Sequence, residues 1–420
     1  MRLLRITDYV PEWDWYPHHE YAKIQPWNAD GSLYKFYSVA LYDARTHRMI
    51  RELPGSEIYP SYWSPVDPDL IYSFRLNGDV RIYRVSTDSV VQMDHIVDAS
   101  GGEYDAVYMG PGEGNMDVEA RRVALVGRRG VDMDVILYDL ENFEVDTIIT
   151  FEGVWGDGEY PLYVDWVSVS QSGEYIGIMW DHNTTSPGNP FDGHYGVEIY
   201  RADGMTFLRR IAEYGNHGDF CMDVDGREVF VQFWGPTGTL NMYYLDSGER
   251  VVLSEHPDFS GEGHISCRNI RRPGWAYVSQ DDSSLSGQMV AVRLDASGTF
   301  EHFGHHFSSS MDYLKSPMPV PSPDGSLLMF KSDFMDTTSG VVYTFISSVY
   351  TVSLRESGQY VSGEVMKIDS GVVAVYSMDG RLVMRKEAPV ILSWRLLRPG
   401  FYVVLIEKDA LSEKRLLLIR

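Results

Sequence analysis

One turn, repeated along the chain, constrains the fold more than any other feature. The segments "WNADGSLYKFYS" from Trp27, "WSPVDPDLIYSF" from Trp63, "VSVSQSGEYIGIMW" from Val167, "MDVDGREVFVQF" from Met222, "RNIRRPGWAYVS" from Arg268 and "PSPDGSLLMFKS" from Pro321 share one order. A short strand runs into a turn built from Pro, Asp, Gly or Ser and returns as a strongly apolar strand, which is the pattern of a hairpin. A third and a fourth strand follow most copies, as in "DVRIYRVSTDSVVQM" from Asp79, "GVEIYRADGMTFLRRI" from Gly196 and "TLNMYYLDSGERVVL" from Thr239. Four antiparallel strands recurring at roughly 40 to 55 residues are the unit of a propeller blade. A degenerate copy fits between Tyr104 and Phe151, with "RRVALVG" and "DVILYDLENFEVDTIITF" as its later strands. The predicted fold is all-β: a seven-bladed β-propeller over residues 21–355, an N-terminal segment over 1–20, and a small C-terminal β-sandwich over 356–420. A pair of sandwiches would also alternate, but would not need one turn at a fixed place in every unit.

Composition agrees, since 28 tyrosines, 38 glycines and 20 prolines suit short strands joined by tight turns. With 60 acidic against 36 basic residues, the surface repels phosphate backbones and anionic membranes, so no nucleic-acid partner is expected. No stretch approaches the roughly 20 apolar residues of a transmembrane helix. The opening "MRLLRITDYVPEWDWYPHHEY" has a basic start but no apolar core, so it does not read as a signal peptide. It fits either a cytoplasmic protein or one whose leader lies outside this sequence. Cys221 and Cys267 occupy equivalent inner-strand positions in "HGDFCMD" and "GHISCRN". Three readings stay open for them: buried packing, a zinc site joining Cys267 to His256 or His264, and a disulfide, which needs the two Cα atoms within about 7 Å.

The phrases "YWSPVDPDLIYSF" and "PSPDGSLLMF" resemble the WD-like propellers grouped with Tol-type periplasmic propellers and oligogalacturonate lyases, over most of residues 20–355. The ending resembles the C-terminal sorting domain of type IX secretion cargo. The positions that carry this likeness are Val373, Val375, Tyr376, Gly380, Arg381, Val383, Leu397, Pro399, Gly400, Tyr402, Val404 and Arg420, with Ser377 where an Asp is usual. That resemblance implies passage through the type IX machinery to the surface or exterior of a Gram-negative cell, and makes a missing leader the better account of the N-terminus.

In a propeller the segments entering the inner strands converge on one face of the channel, where ligands bind. By blade, the candidates there are His18, His19, Tyr21 and Lys23; Tyr59 and Tyr62; Tyr104 and Asp105; Tyr163 and Asp165; His217 and Asp219; His264, Ser266 and Arg268; and Asp312, Tyr313 and Lys315. Imidazoles titrate near neutrality, tyrosine can protonate a leaving oxygen, and a cation can neutralise a uronate carboxylate. Those are the parts for β-elimination on an acidic polysaccharide. The catalytic expectation is a base at His217 or His264, charge neutralisation at Arg268, and an acid at Tyr21 or a second histidine. Substrate contacts are expected from His18, His19, Lys23, Tyr62, Tyr104, Tyr163 and Lys315. Glycoside hydrolysis would instead use a carboxylate pair, with Asp105, Asp165 and Asp219 available.

The oligogalacturonate-lyase resemblance implies a divalent metal (Mn, Ca or Zn) on the channel face, with His217, His264, His305 and His306 as the available ligands. The sequence lacks an H-x-H pair and a glutamine at that family's spacing. Trp13 and Trp15 suit either a sugar platform or a cover for the edge of the first blade. His182 and His194, in "DHNTTSPGNPFDGHYG", are expected to be solvated, as are Arg271 and Arg272 in their turn. The other function compatible with the sequence is a non-catalytic surface propeller that binds glycan or protein.

Overall fold

The computed structural model describes residues 2–7, 17–110, 113–154, 164–180, 194–233, 238–254, 263–279, 287–309, 313–335 and 341–348, and the backbone strands of residues 365–419. Two compact units result, Arg2–Val349 and Tyr350–Arg420 with Met1.

The recurring turn has a specific chemical basis. Each inner strand ends on a short polar residue buried at the turn: Asn28, Ser64, Asp117, Ser170, Asp223, Asn269 and Ser322. Most of these side chains accept from the backbone N–H groups of the turn, as Leu33 donates to Asn28 Oδ1, Arg122 to Asp117 Oδ2, Arg227 to Asp223 Oδ1 and Leu327 to Ser322 Oγ. The turn thus closes on a side-chain acceptor, which is why Asn, Asp and Ser recur there. Gly31, Gly173, Gly226 and Gly325 supply the left-handed residue the turn requires, with φ between 68° and 79°.

The first unit is a seven-bladed propeller of antiparallel sheets. The first blade comprises Leu33–Phe36, Ala40–Asp43 and Met49–Glu52, and its inner edge is a single bridge between Trp27 and Tyr34. Blades two to six begin at inner strands Ser61–Trp63, Ala106–Tyr108, Val164–Val169, Asp219–Met222 and Ile265–Ser266 and end at Ser89–His95, Glu144–Phe151, Thr206–Ala212, Arg250–Ser254 and Phe300–His305. The seventh holds Val320–Pro321, Leu327–Ser332 and Tyr343–Ser348, and its outer strand is Arg2–Arg5 from the N-terminus, in register from Arg2 opposite Ser348 to Arg5 opposite Phe345. The propeller therefore draws on residues before Tyr21, which no turn in the sequence announces.

Among the described residues, an apolar cluster lies between each pair of neighbouring blades and closes the ring. Phe36 and Tyr42 of blade one meet Met329 and Ile346 of blade seven, while Trp166 of blade four packs on Phe220 and Phe230 of blade five. Each such side chain contributes roughly 1.5–3 kcal/mol on burial, so the ring is held chiefly by its blade interfaces.

In the second unit Val372–Ser377 pairs with Leu382–Glu387 and with Gly400–Lys408, which pairs with Leu411–Ile419; Val365–Ile368 and Val390–Ser393 form a second sheet. The pairing of Val372–Ser377 with Leu382–Glu387 and the apolar strand after "RPG" were expected from the sequence, while the turn expected at residues 378–380 lies outside the described residues. No helix among the described residues is long and apolar enough to cross a membrane.

Candidate functional site

Segments entering blades one, five and six bring three of the predicted groups together. Tyr21 Oη and His217 Nδ1 share a hydrogen bond of 2.8 Å. The His217 and His264 rings stack with centroids 4.6 Å apart, and Tyr21 meets His264 edge-on at 5.3 Å. His264 is buried and pinned: its carbonyl accepts from Ser279 N at 3.0 Å, and its Nδ1 lies 3.3 Å from Ser316 Oγ. His217 is only half-buried. It is followed by Gly218, where a Cβ would lie 2.3 Å from Phe230 Cζ, so only glycine lets the chain carry His217 this close over the sheet.

The electrostatics favour a neutral proton donor beside an imidazole. Burial, and then the field of Glu113, hold the Tyr21 hydroxyl protonated well above the ordinary phenol range. Burial also pushes the Glu113 carboxyl up, against the pull of Lys23, whose Nζ lies 2.8 Å away. Lys23 sits over the Trp166 ring at 4.7 Å.

A cavity of about 410 Å³ opens beside Tyr21, walled by Tyr37, Tyr59, Tyr62, Tyr313, Glu20, Glu113 and Lys331 among others. Lysine is almost never fully buried unless paired. Yet residues 2–349 contain four lysines, Lys23, Lys35, Lys315 and Lys331, and all four are buried, at 1%, 0%, 6% and 2% exposure. Lys23, Lys35 and Lys315 hold ion pairs with Glu113, Glu20 and Asp333.

Several expectations are corrected. Arg268 is not a channel-face cation for substrate: its Nη2 and Nε donate to Asp219 Oδ1 and Oδ2 at 2.9 and 3.1 Å, a bidentate pair at 7% and 1% side-chain exposure. It lines a separate cavity of about 50 Å³ with Gln25 and Ile270. Asp219 also accepts from Cys267 N, which removes it from any carboxylate pair for hydrolysis. Cys221 and Cys267 form a disulfide, with Cα atoms 5.3 Å apart, so neither packing alone nor a zinc site describes them.

His19 is buried, and its Nε2–H donates to Met318 O at 2.6 Å; burial first lowers its pKa to about 3 and that of His18 to about 4. His18 meets Tyr37 edge-on at 5.4 Å. Lys23 and Lys315 are engaged by their carboxylates, and Tyr104 donates to Asp134 at 2.8 Å within the third blade. Tyr62 does line the cavity.

The proposed ligand set His217, His264, His305 and His306 does not assemble. His305 ends the outermost strand of blade six and His306 follows it, and they accept through Nδ1 from Phe307 N and Ser308 N. Among the described residues no group of three or more His, Cys, Asp or Glu is placed to hold a metal. Arg272 binds Glu301 and Tyr277 over the Trp275 ring rather than being only solvated. His194 stacks on Trp180 and bonds Glu198. Tyr163, Asp312, His182, His256, Trp13 and Trp15 lie outside the described residues.

Sequence reasoning missed Glu113, Lys35 and Lys331. Glu113 lies in "MGPGEGN", which interrupts the inner edge of blade three between Tyr108 and Met116; the two lysines sit inside apolar second strands, "LYKF" and "LLMFKS". A charge in such a strand was the available signal.

No family model and no curated protein matches the chain. Among solved structures the fold is similar to an oligogalacturonate lyase in complex with manganese, with a TM-score of 0.56 and 13% identity over 84% of this chain and 97% of that one. It is also similar to the oligogalacturonate lyase of Vibrio parahaemolyticus, with a TM-score of 0.56 and 14% identity over 83% of this chain and 94% of that one. At these identities the likeness is one of fold.

Proposed function

We propose that the propeller cleaves uronate-containing polysaccharide by β-elimination, with Tyr21 and His217 as the reacting groups. The observation that carries this reading is the 2.8 Å contact between Tyr21 Oη and His217 Nδ1, on a protein whose fold is similar to oligogalacturonate lyases. In the tautomer where Nδ1–H donates to Tyr21, Nε2 keeps a lone pair to take the uronate C5 proton. The C5–H electrons form the C4=C5 double bond, the C4–O bond breaks, and Tyr21 gives its proton to the departing oxygen. Nδ1–H then passes to the phenolate, which restores Tyr21 and leaves a neutral imidazole. His264, stacked and pinned, holds His217 in place. Two histidines do not make a metal site, so no step is routed through a metal.

Incubation with pectic, alginate and ulvan-type polysaccharides, with and without added Mn, Ca or Zn, tests this by the absorbance of unsaturated uronate products. Signal on at least one substrate is expected; silence on all of them removes the enzyme reading and leaves a glycan- or protein-binding propeller.

The sorting-domain resemblance of residues 356–420 supports a second proposal, export by the type IX machinery to the cell surface or medium. Fused to a reporter that carries a signal peptide, residues 350–420 should deliver it to the exterior of a type IX-competent cell. Retention in the periplasm would contradict this.

A further inference from the structure

Beside the cavity at Tyr21, two short segments are fastened to one carboxylate. Asp333, buried at 2% exposure, accepts from the backbone N–H groups of Ser309 and Met335 at 2.8 and 3.2 Å and from the Ser309 hydroxyl. Lys315 Nζ lies 3.3 Å from its Oδ2. Lys315 ends the 3-10 turn Tyr313–Lys315, and Met335 follows the second strand of blade seven. What these segments turn outward is apolar: Tyr313, Leu314, Phe334 and Met335 are 56%, 63%, 48% and 61% exposed. Phe334 and Met335 hold φ of 53° and 65°, a left-handed backbone that bulky residues keep only where their surroundings enforce it. The Phe307 and Phe345 rings help to enforce it, with centroids 5.0 and 5.6 Å from that of Phe334. Apolar residues exposed singly are ordinary; four of them on segments locked to one buried carboxylate form a preorganised surface.

That surface is continuous with the cavity. Tyr313 and Leu314 line it together with Tyr21 and Tyr59, and the Tyr313 ring lies 6.0 Å from that of His264. A glycan that reaches Tyr21 therefore passes over these side chains as it leaves. Aromatic rings accept the C–H face of a sugar. Leu314 and Met335 offer nothing to a hydroxyl, which would lose its water there without gaining a partner. A methyl group loses no hydrogen bond, and its burial tightens binding about fourfold.

We infer that Tyr313, Leu314, Phe334 and Met335 form a subsite for a sugar ring capped by methyl or acetyl groups, so that the substrate is a methyl-esterified or O-acetylated glycan. The path of the glycan out of the cavity rests on the lyase reading, but recognition is measurable without turnover.

The test is calorimetric binding of the full chain carrying Tyr21→Phe, which stops turnover, to hexagalacturonate in three forms: unsubstituted, O-acetylated and methyl-esterified. At least one substituted form is expected to bind about fourfold or more tightly than the unsubstituted one, and the two arms separate acetyl from methyl ester as the source. Leu314→Ser combined with Met335→Ser, both at exposed positions, should erase that preference and leave the affinity for the unsubstituted form within about twofold. A preference that survives this double variant, as the loss of carboxylate charge on esterification would by itself produce, overturns the inference. Equal affinities for the three forms, or binding of none, also overturn it. So does a dimer of the wild-type chain that the double variant dissociates, because a second copy then covers the surface. Equal affinities with unsaturated product from the wild type overturn the inference and leave the lyase reading intact. The expected preference without unsaturated product on any polysaccharide sinks the lyase reading and upholds the subsite.

Discussion

Blades five and six carry two polar constellations a few residues apart along the same strands, and they have opposite characters. Asp219 and Arg268 answer each other through two hydrogen bonds, with Cys267 N and Phe220 O completing the set, and the adjacent disulfide joins the strands. His217 and His264, two residues before Asp219 and four before Arg268, meet through ring stacking and share one phenol between them. The first arrangement consumes its hydrogen-bonding capacity in holding the ring together. The second holds a proton donor and an acceptor beside a cavity. Position on the channel therefore does not confer a chemical role, since Arg268 on the same strands is bound bidentately by Asp219.

Breaking the first constellation should cost stability. Asp219→Ala leaves the Arg268 guanidinium buried without its carboxylate, and is expected to destabilise by about 3–5 kcal/mol in denaturant unfolding. A loss under 1 kcal/mol would mean the pair is not structural. Replacing Cys221 and Cys267 together by Ser should cost about 2–4 kcal/mol, the scale for a cross-link that closes a loop of 46 residues. Thermal unfolding with and without reductant gives the same comparison in the wild type.

A smaller, graded effect comes from histidines held neutral by burial. His18 and His19 have folded pKa values of about 4 and about 3, below the ordinary value of 6.5. As pH falls below 6.5, the unfolded chain takes up protons that the folded one refuses. Stability is therefore complete above 6.5 and declines through pH 4 toward 3, by up to about 1.4 kcal/mol per pH unit for each histidine. His19→Gln should flatten this slope between pH 6 and pH 4; an unchanged slope would assign the acid sensitivity elsewhere.

The blades were legible in the sequence because each turn is capped by its own local Asn, Asp or Ser, a device within six residues of itself. The closing strand was not, since Arg2–Arg5 pairs with residues more than 330 positions away and carries no turn of its own. The same distinction sorts the site. Tyr21, His217 and His264 were named because residue type and blade position suffice to place them on the channel. Arg268 was assigned to chemistry because its partner, Asp219, lies 49 residues back, and nothing local shows that its guanidinium is engaged. The cysteines remained open for the same reason, and Lys331 was read as part of an apolar strand.

The central claim, that Tyr21 and His217 move protons during glycan cleavage, is tested most directly by Tyr21→Phe. This change removes one hydroxyl from a buried ring and keeps its packing. On whichever polysaccharide the wild type converts, release of unsaturated uronate should fall about 10²–10⁴-fold, with the unfolding temperature and oligosaccharide affinity close to wild type. A variant that retains wild-type turnover would contradict the account.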